Sequence, residues 1–101
     1  MHARVTQLHV KAEKAQEFLD GLDSLMPELR KQVGFRSFVA MRTESSPGPE
    51  ITTISVWDSF ADLKGSEKNL FYYKALSRLM GFSEGFTTRE YEVVLAEFAA
   101  D

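Results

Sequence analysis

The chain has 101 residues, of which 44% are hydrophobic and 27% are charged, and it contains no cysteine. These values predict a single domain over residues 1–101 and exclude a disordered tail, a disulfide framework and a thiolate nucleophile. The formal net charge is −3 and no Lys/Arg block exceeds two residues, which argues against nucleic acid and a membrane surface as partners. No apolar run could span a bilayer and no signal peptide is evident, so we expect a soluble, cytoplasmic protein.

The first part of the sequence predicts a strand, a helix and a second strand. Residues 3–10 alternate polar and apolar side chains, as a strand does. Apolar residues then recur every three or four positions over residues 13–32, which predicts one amphipathic helix that bends at Pro27. Gly34 can adopt the left-handed conformation that ends a helix, and residues 35–43 predict the second strand.

A loop divides this part from a third strand. Residues 44–50 contain two prolines, a glycine and two serines, so neither a helix nor a sheet ladder can continue through them. The segment is short enough to be a hairpin loop rather than a domain boundary. Residues 51–57 are rich in β-branched side chains and predict a strand. Asp58 or Ser59 is then expected to cap a second helical region.

The remaining residues predict a helical region and a last strand. Gly65 is expected to interrupt the helical region, which resumes near Glu67 and ends at Gly81. Residues 82–86 predict a loop, and residues 88–98 predict a long final strand. The resulting order, βαββαβ, predicts an α+β ferredoxin-like fold, a four-stranded antiparallel sheet with two helices on one face.

Two helices can cover only one face of four strands, so the other face of a monomer should be polar. Instead, strands two, three and four carry bulky apolar side chains on both faces. Each such side chain left in water forgoes roughly 1.5–3 kcal/mol. We therefore expect a homodimer, sheet against sheet, although a second face that is mixed and partly wet is the alternative. The residues predicted at the interface are Ile54, Val56 and Val94.

Three stretches resemble the antibiotic biosynthesis monooxygenase (ABM) family of dimeric α/β barrels, and the resemblance covers nearly the whole chain. They are residues 10–18, the Gly34-Phe35 pair, and residues 55–63 with their Ser-x-Trp-x-Ser pattern. The resemblance implies a ferredoxin-like subunit, a sheet-to-sheet homodimer, and a small-molecule pocket between the sheet and its helices. It also implies a monooxygenase for phenolic or quinol-type molecules, in which the substrate's own phenolate or enolate passes an electron to O2. A non-catalytic dimeric binding or stress-related module of the same fold is the alternative.

Haem-degrading proteins share this architecture, and the resemblance to them is incomplete. Thr6 occupies a position where they carry Asn, and they carry a haem-ligating His on the second helix. Residues 64–75 of this chain contain no His. We therefore expect no haem, and we predict neither a metal site nor another cofactor.

The predicted pocket combines side chains from strand one, the end of strand three and the second helical region. Trp57 is the only Trp of the chain. The matching family residue lines the pocket, but an indole also packs well as ordinary core. The residues predicted to line the pocket are Thr6, Leu8, Trp57, Phe71, Tyr73, Met80 and Phe82.

The candidate catalytic residues are His9, Tyr72 and Arg78. Histidine is the natural general base near neutral pH, but alignment to the family suggests that Arg4, Thr6 and Leu8 point to the pocket and His9 points away. Tyr72 could cover the pocket mouth or lie exposed. Arg78 could hold a phenolate or a peroxide anion, or it could simply interact with the dipole of its helix.

Overall fold

The structure is a computed structural model that describes residues 1–99, without the side chains of Phe71 and Tyr72. Four strands, three α-helices and a short 3-10 turn before the first helix make up this part of the chain. The strands are β1 (His2–Val10), β2 (Phe35–Thr43), β3 (Glu50–Trp57) and β4 (Ser83–Glu92). The helices are α1 (Ala15–Arg30), α2 (Phe60–Ser66) and α3 (Leu70–Met80).

The strands form one antiparallel sheet in the order β2-β3-β1-β4. This order is that of the ferredoxin-like fold, so the predicted α+β architecture is confirmed. Directly opposed residues of an antiparallel sheet project to the same face. Thr6 of β1, for example, lies opposite Thr53 of β3 and Thr88 of β4, which places the three side chains in one row.

One helix supplies most of the helical contribution to the core. The apolar stripe of α1 packs with Leu8 of β1, Ile51 of β3 and Leu79 of α3. The helix continues through Pro27, whose ring is exposed, so the prediction of one helix rather than two is correct. Gly34 follows with a φ of 77°. The buried residues of α1 are Ala15, Phe18, Leu22, Leu25 and Leu29.

The second helical region differs from the prediction at its break. Ser59 caps it, because its Oγ accepts a hydrogen bond of 3.1 Å from the backbone N–H of Asp62. The helix continues through Gly65 and ends after Ser66, whose hydroxyl donates to the carbonyl of Leu63 at 2.7 Å. Such a local bond competes with continuation of a helix. The chain then resumes as α3.

The last strand also differs from the prediction of residues 88–98. It covers Ser83–Glu92, because the chain already pairs with β1 from Ser83 onward, with Phe86 opposite Leu8. The pairing with β1 ends at Glu92, which lies opposite His2. One further hydrogen bond of 2.9 Å runs from the N–H of Val93 to the carbonyl of Met1. Residues 93–99, the C-terminal segment, therefore lie outside the sheet, and Val94 is 88% exposed.

The sheet face opposite the helices is called the open face here. Val39 of β2, Ile54 of β3 and Val5 of β1 form its central row. Val39 and Met41 of β2 are 48% and 46% exposed, and Ile54 is half-buried. The apolar residues of the open face are Ala3, Val5, Val39, Met41, Ile54, Val56 and Tyr91. None of the helices within residues 1–99 is long and apolar enough to cross a membrane.

Candidate functional site

A cavity in two adjoining parts lies between the sheet and the helices. Both parts share Arg4, Thr6, Leu76 and Met80 in their walls. The inner chamber has a volume of about 30 Å³, and the outer cleft has a volume of about 230 Å³. The inner chamber also contains Phe18, Leu22, Leu25 and Met26 of α1 with Thr53 and Ser55 of β3. The outer cleft also contains Glu67, Tyr73, Ser77, Phe86 and Thr88.

The cavity exists because the middle of β3 carries small side chains toward the helices. Ile51 and Trp57, at the two ends of this strand face, are fully buried. Thr53 and Ser55 lie between them on the same face, since side chains alternate along a strand. These two residues are too small to fill the space under α1. The sheet therefore provides hydroxyl groups beside the apolar Leu8 and Phe38, and the helices provide an apolar roof.

Hydrogen bonds hold the hydroxyl groups on the sheet side of the cavity. The Nε1–H of Trp57 donates to Ser55 Oγ at 3.0 Å, and both side chains are buried. The hydroxyls of Thr6 and Thr88 lie 3.2 Å apart across β1 and β4 and share one hydrogen bond. Thr6 is 5% exposed. Hydrogen bonds within the protein thus hold the hydroxyls of Thr6 and Ser55 in place.

A network of four charges borders the outer cleft. Arg4 Nη2 donates to Glu67 Oε1 at 2.6 Å and lies 3.5 Å from the carbonyl of Leu63. Lys64 Nζ donates to Glu90 Oε1 at 2.6 Å and lies 3.6 Å from Glu67 Oε1. The hydrogen bond to Glu90 raises the pKa of Lys64 above its ordinary value, with a further contribution from the charge of Glu67. Two cations and two anions therefore balance, and Arg4 is held in a defined position.

The structure places four of the residues predicted for the pocket at the cavity. Thr6, Leu8 and Met80 line the inner chamber, and Tyr73 lines the outer cleft with 54% of its surface exposed. The side chain of Phe71 lies outside the described part of the structure.

Trp57 and Phe82, which were also predicted to line the pocket, are not among the residues of the cavity wall. Trp57 is completely buried, with its ring edge-on to Phe35 at 5.5 Å, so it lies in the core behind Ser55 and offers no surface to the cavity. Phe82 follows the end of α3 and packs under Lys14, whose Nζ is 5.8 Å from the ring centroid. It is therefore a helix-end contact rather than part of the cavity wall.

The candidate catalytic residues do not reach the cavity where their side chains are described. His9 is exposed and lies opposite Glu50, on the open face, because the helix-facing positions of β1 are the even-numbered ones. Arg78 is exposed on α3 and contributes to neither part of the cavity. The side chain of Tyr72 lies outside the described residues.

Other cavity residues were not predicted as such. Thr53, Ser55, Glu67 and Thr88 were missed. A usable signal was present in β3, where two small polar residues stand at alternate positions between two bulky ones. Within residues 1–99, no group of three or more His, Asp or Glu side chains is placed to hold a metal ion.

A ferredoxin-like subunit with a cavity between sheet and helices is a class of protein with many known members. The chain belongs to one family of this class, antibiotic biosynthesis monooxygenase, whose sequence model matches residues 1–75. This membership agrees with the resemblance noted in the sequence. No curated protein sequence matches the chain significantly.

Several solved structures share the fold at low sequence identity. SnoaB from Streptomyces nogalater, a cofactor-independent oxygenase, has a TM-score of 0.78 and 15% identity, covering 94% of this chain and 94% of its own. A conserved protein from Methanosarcina mazei has a TM-score of 0.76 and 22% identity, covering 90% and 91%. A protein of unknown function from Nitrosomonas europaea has a TM-score of 0.77 and 14% identity, covering 99% and 95%. These similarities establish the fold.

Proposed function

We propose that this protein is a monooxygenase that acts without a cofactor on a small apolar, phenolic or quinol-type molecule. Family membership supports an oxygenase, and SnoaB shows that one protein of this fold is a cofactor-independent oxygenase. The observation that carries the proposal is the cavity itself, with an apolar roof, hydroxyl groups on the sheet side and a guanidinium in the wall that its two parts share. Such a combination suits a ring system that bears oxygen substituents.

Arg4 is the residue to which we assign the binding of the substrate oxygen. Its hydrogen bonds among the described residues use Nη2 alone, which leaves Nε and Nη1 as donors for a ligand. A cation close to a phenol favours the ionised form. The pairing with Glu67 fixes the guanidinium, so little side-chain entropy is lost when a ligand binds.

Ionisation of the substrate is the step that replaces a cofactor. A phenolate can give one electron to O2, which yields a substrate radical and superoxide, and these two join in a C–O bond to form a peroxide. Loss of the remaining hydrogen from that carbon and cleavage of the O–O bond then give a carbonyl group and water. The protein contributes an apolar enclosure and oriented donors to this sequence.

We also propose a homodimer in which a second copy covers the open face. Ile54 and Val56 lie in the middle of this face, and Val39 on the neighbouring strand is about half exposed. Val94, in the C-terminal segment that follows β4, is more exposed still. A two-fold contact would bury these side chains, and it would leave the cavity accessible because that lies on the opposite face.

The function is tested by following O2 uptake with a panel of anthrone- and quinol-type substrates. We expect uptake by the wild type and a fall of at least tenfold in kcat/KM for Arg4→Met, because the substrate phenolate loses its cation. Arg36→Met is the matched control, since Arg36 also pairs with a carboxylate, that of Asp58, but lies away from the cavity. Equal rates for both variants would contradict the assigned role of Arg4.

A second candidate function, a non-catalytic binding module, is favoured by one observation. The described walls of the cavity contain no histidine, and the two candidates His9 and Arg78 lie elsewhere. Calorimetric binding of the same panel without any O2 uptake would favour this alternative.

A further inference from the structure

The inner chamber has the size of a diatomic molecule rather than of a ring. Its volume of about 30 Å³ accommodates roughly two water-sized groups. Phe18, Leu22 and Leu25 give it an apolar wall that suits a small neutral molecule, and the hydroxyls of Thr53 and Ser55 line its sheet side. The outer cleft, at about 230 Å³, is the part that can hold an organic ring.

One hydroxyl in this chamber has its direction set by a neighbour. An indole N–H can only donate, so Ser55 Oγ is the acceptor in its hydrogen bond with Trp57. The hydroxyl hydrogen of Ser55 must then turn to a different acceptor, and the described hydrogen bonds provide none. Accepting a bond polarises a hydroxyl and makes it a stronger donor. Because Trp57 is completely buried, this arrangement is rigid.

We infer that the inner chamber is the dioxygen site of this protein and that the Ser55 hydroxyl, oriented by Trp57, donates a hydrogen bond to dioxygen as it is reduced. The inference rests on the proposed oxygenase function. One electron leaves the substrate phenolate in the outer cleft, O2 becomes superoxide, and the phenolate becomes a neutral radical. Ser55 donates to the oxygen that carries the new charge and keeps its proton. The two radicals then combine through one C–O bond, which leaves a peroxide anion.

Occupancy is tested without any turnover by methyl NMR of the full chain under pressurised O2 and under N2. Dissolved O2 is paramagnetic, so methyl groups that line its site relax faster. We expect the enhancement at Leu22 and Leu25 to be at least threefold larger than at Leu29, which is equally deep in the core but lies outside the chamber. Equal enhancement at all three residues, as when water fills the chamber, would overturn the dioxygen site.

The role of Ser55 is tested by kinetics at varied O2. Ser55→Ala should lower kcat/KM for O2 about 10- to 100-fold, as loss of one oriented donor does, and should leave KM for the organic substrate unchanged. Ser24→Ala is the control, because the Ser24 hydroxyl donates to the backbone carbonyl of Gly21 at 2.7 Å and neither residue lines the cavity. An unchanged kcat/KM for O2 in Ser55→Ala would refute this role.

Trp57 is a positioning residue in this account, and its action through Ser55 is separately testable. Trp57→Phe should lower kcat/KM for O2 less than Ser55→Ala does, and the double variant should be no worse than Ser55→Ala. Additive losses would show that Trp57 acts independently.

Relaxation enhancement at Leu25 in a protein that consumes no O2 would refute the proposed function and leave the dioxygen site standing. O2 uptake without relaxation enhancement at Leu25 would support the proposed function and refute the dioxygen site.

Discussion

The two faces of the sheet are built by the same strands and have different physical characters. On the helix-covered face of β3, Thr53 and Ser55 stand between Ile51 and Trp57, and the helices enclose the space that the small residues leave. On the open face of the same strand, Ile54 and Val56 are apolar and half-buried. Polar groups are thus enclosed where a ligand is proposed, and apolar groups are partly exposed where a second copy is proposed.

Ile54→Lys should produce the largest effect, because it places a charge in the centre of the open face. In a two-fold dimer the substitution occurs twice, and unpaired or like charges in such an interface cost several kcal/mol. We expect the dimer affinity to fall about 100-fold or more, or the protein to become insoluble. Size-exclusion chromatography with light scattering measures this.

Two further substitutions sharpen that comparison. Val94→Lys, in the C-terminal segment, should also yield insoluble or monomeric protein. Val33→Lys is the control, because Val33 is 79% exposed in the turn after α1. An unchanged soluble dimer from both Ile54→Lys and Val94→Lys would contradict the proposed interface.

Leu29→Ala tests the covered face at a site away from the cavity. Leu29 is completely buried, so its truncation should lower the free energy of unfolding by about 2–5 kcal/mol. The exposed Val33→Ala should change it by no more than about 0.5 kcal/mol. Urea unfolding at a fixed protein concentration gives both values. A loss below about 1 kcal/mol for Leu29→Ala would mean that α1 does not pack on the sheet as described.

Ser59→Ala should have a smaller effect on the same face. It removes the hydroxyl that accepts the N–H of Asp62 at the start of α2. Loss of such a cap costs about 1 kcal/mol. Ser59→Asp keeps an acceptor at this position and should restore most of the stability. Equal stability of Ser59→Ala and the wild type would exclude the cap.

The smallest expected effect concerns Lys64 and alkaline pH. Because the pKa of Lys64 is raised in the folded state, its pairing stabilises the protein fully below the ordinary value of 10.5. This contribution is lost as pH rises through the folded-state pKa. Lys64→Met and Glu90→Gln should both flatten the fall of Tm above that pH. A slope as steep as that of the wild type in both variants would contradict the pairing.

The sequence was sufficient for the features that depend on local pattern. The apolar stripe of α1, the bounds of β2 and the αL position of Gly34 follow from spacing and residue type. The limits of β4 did not, because they depend on which residues of β1 remain to be paired. Residues 93–98 alternate like a strand but have no partner strand within the described chain.

The cavity shows the same division between local and tertiary information. Alternation places Thr53 and Ser55 on one face with Trp57, but only the position of α1 decides that the first two line a space and the third is buried behind them. Glu67 and Thr88 join the cavity through the break between α2 and α3 and through the register of β4. Both depend on contacts distant in sequence.

The most direct test of the central claim is turnover under ¹⁸O2 with mass spectrometry of the product. A monooxygenase that uses the substrate's own electrons should place one labelled oxygen atom in the product and the other in water. This should occur with the purified protein alone, without added metal, flavin or nicotinamide. Saturating binding of the phenolic panel with no label in any product would contradict the account.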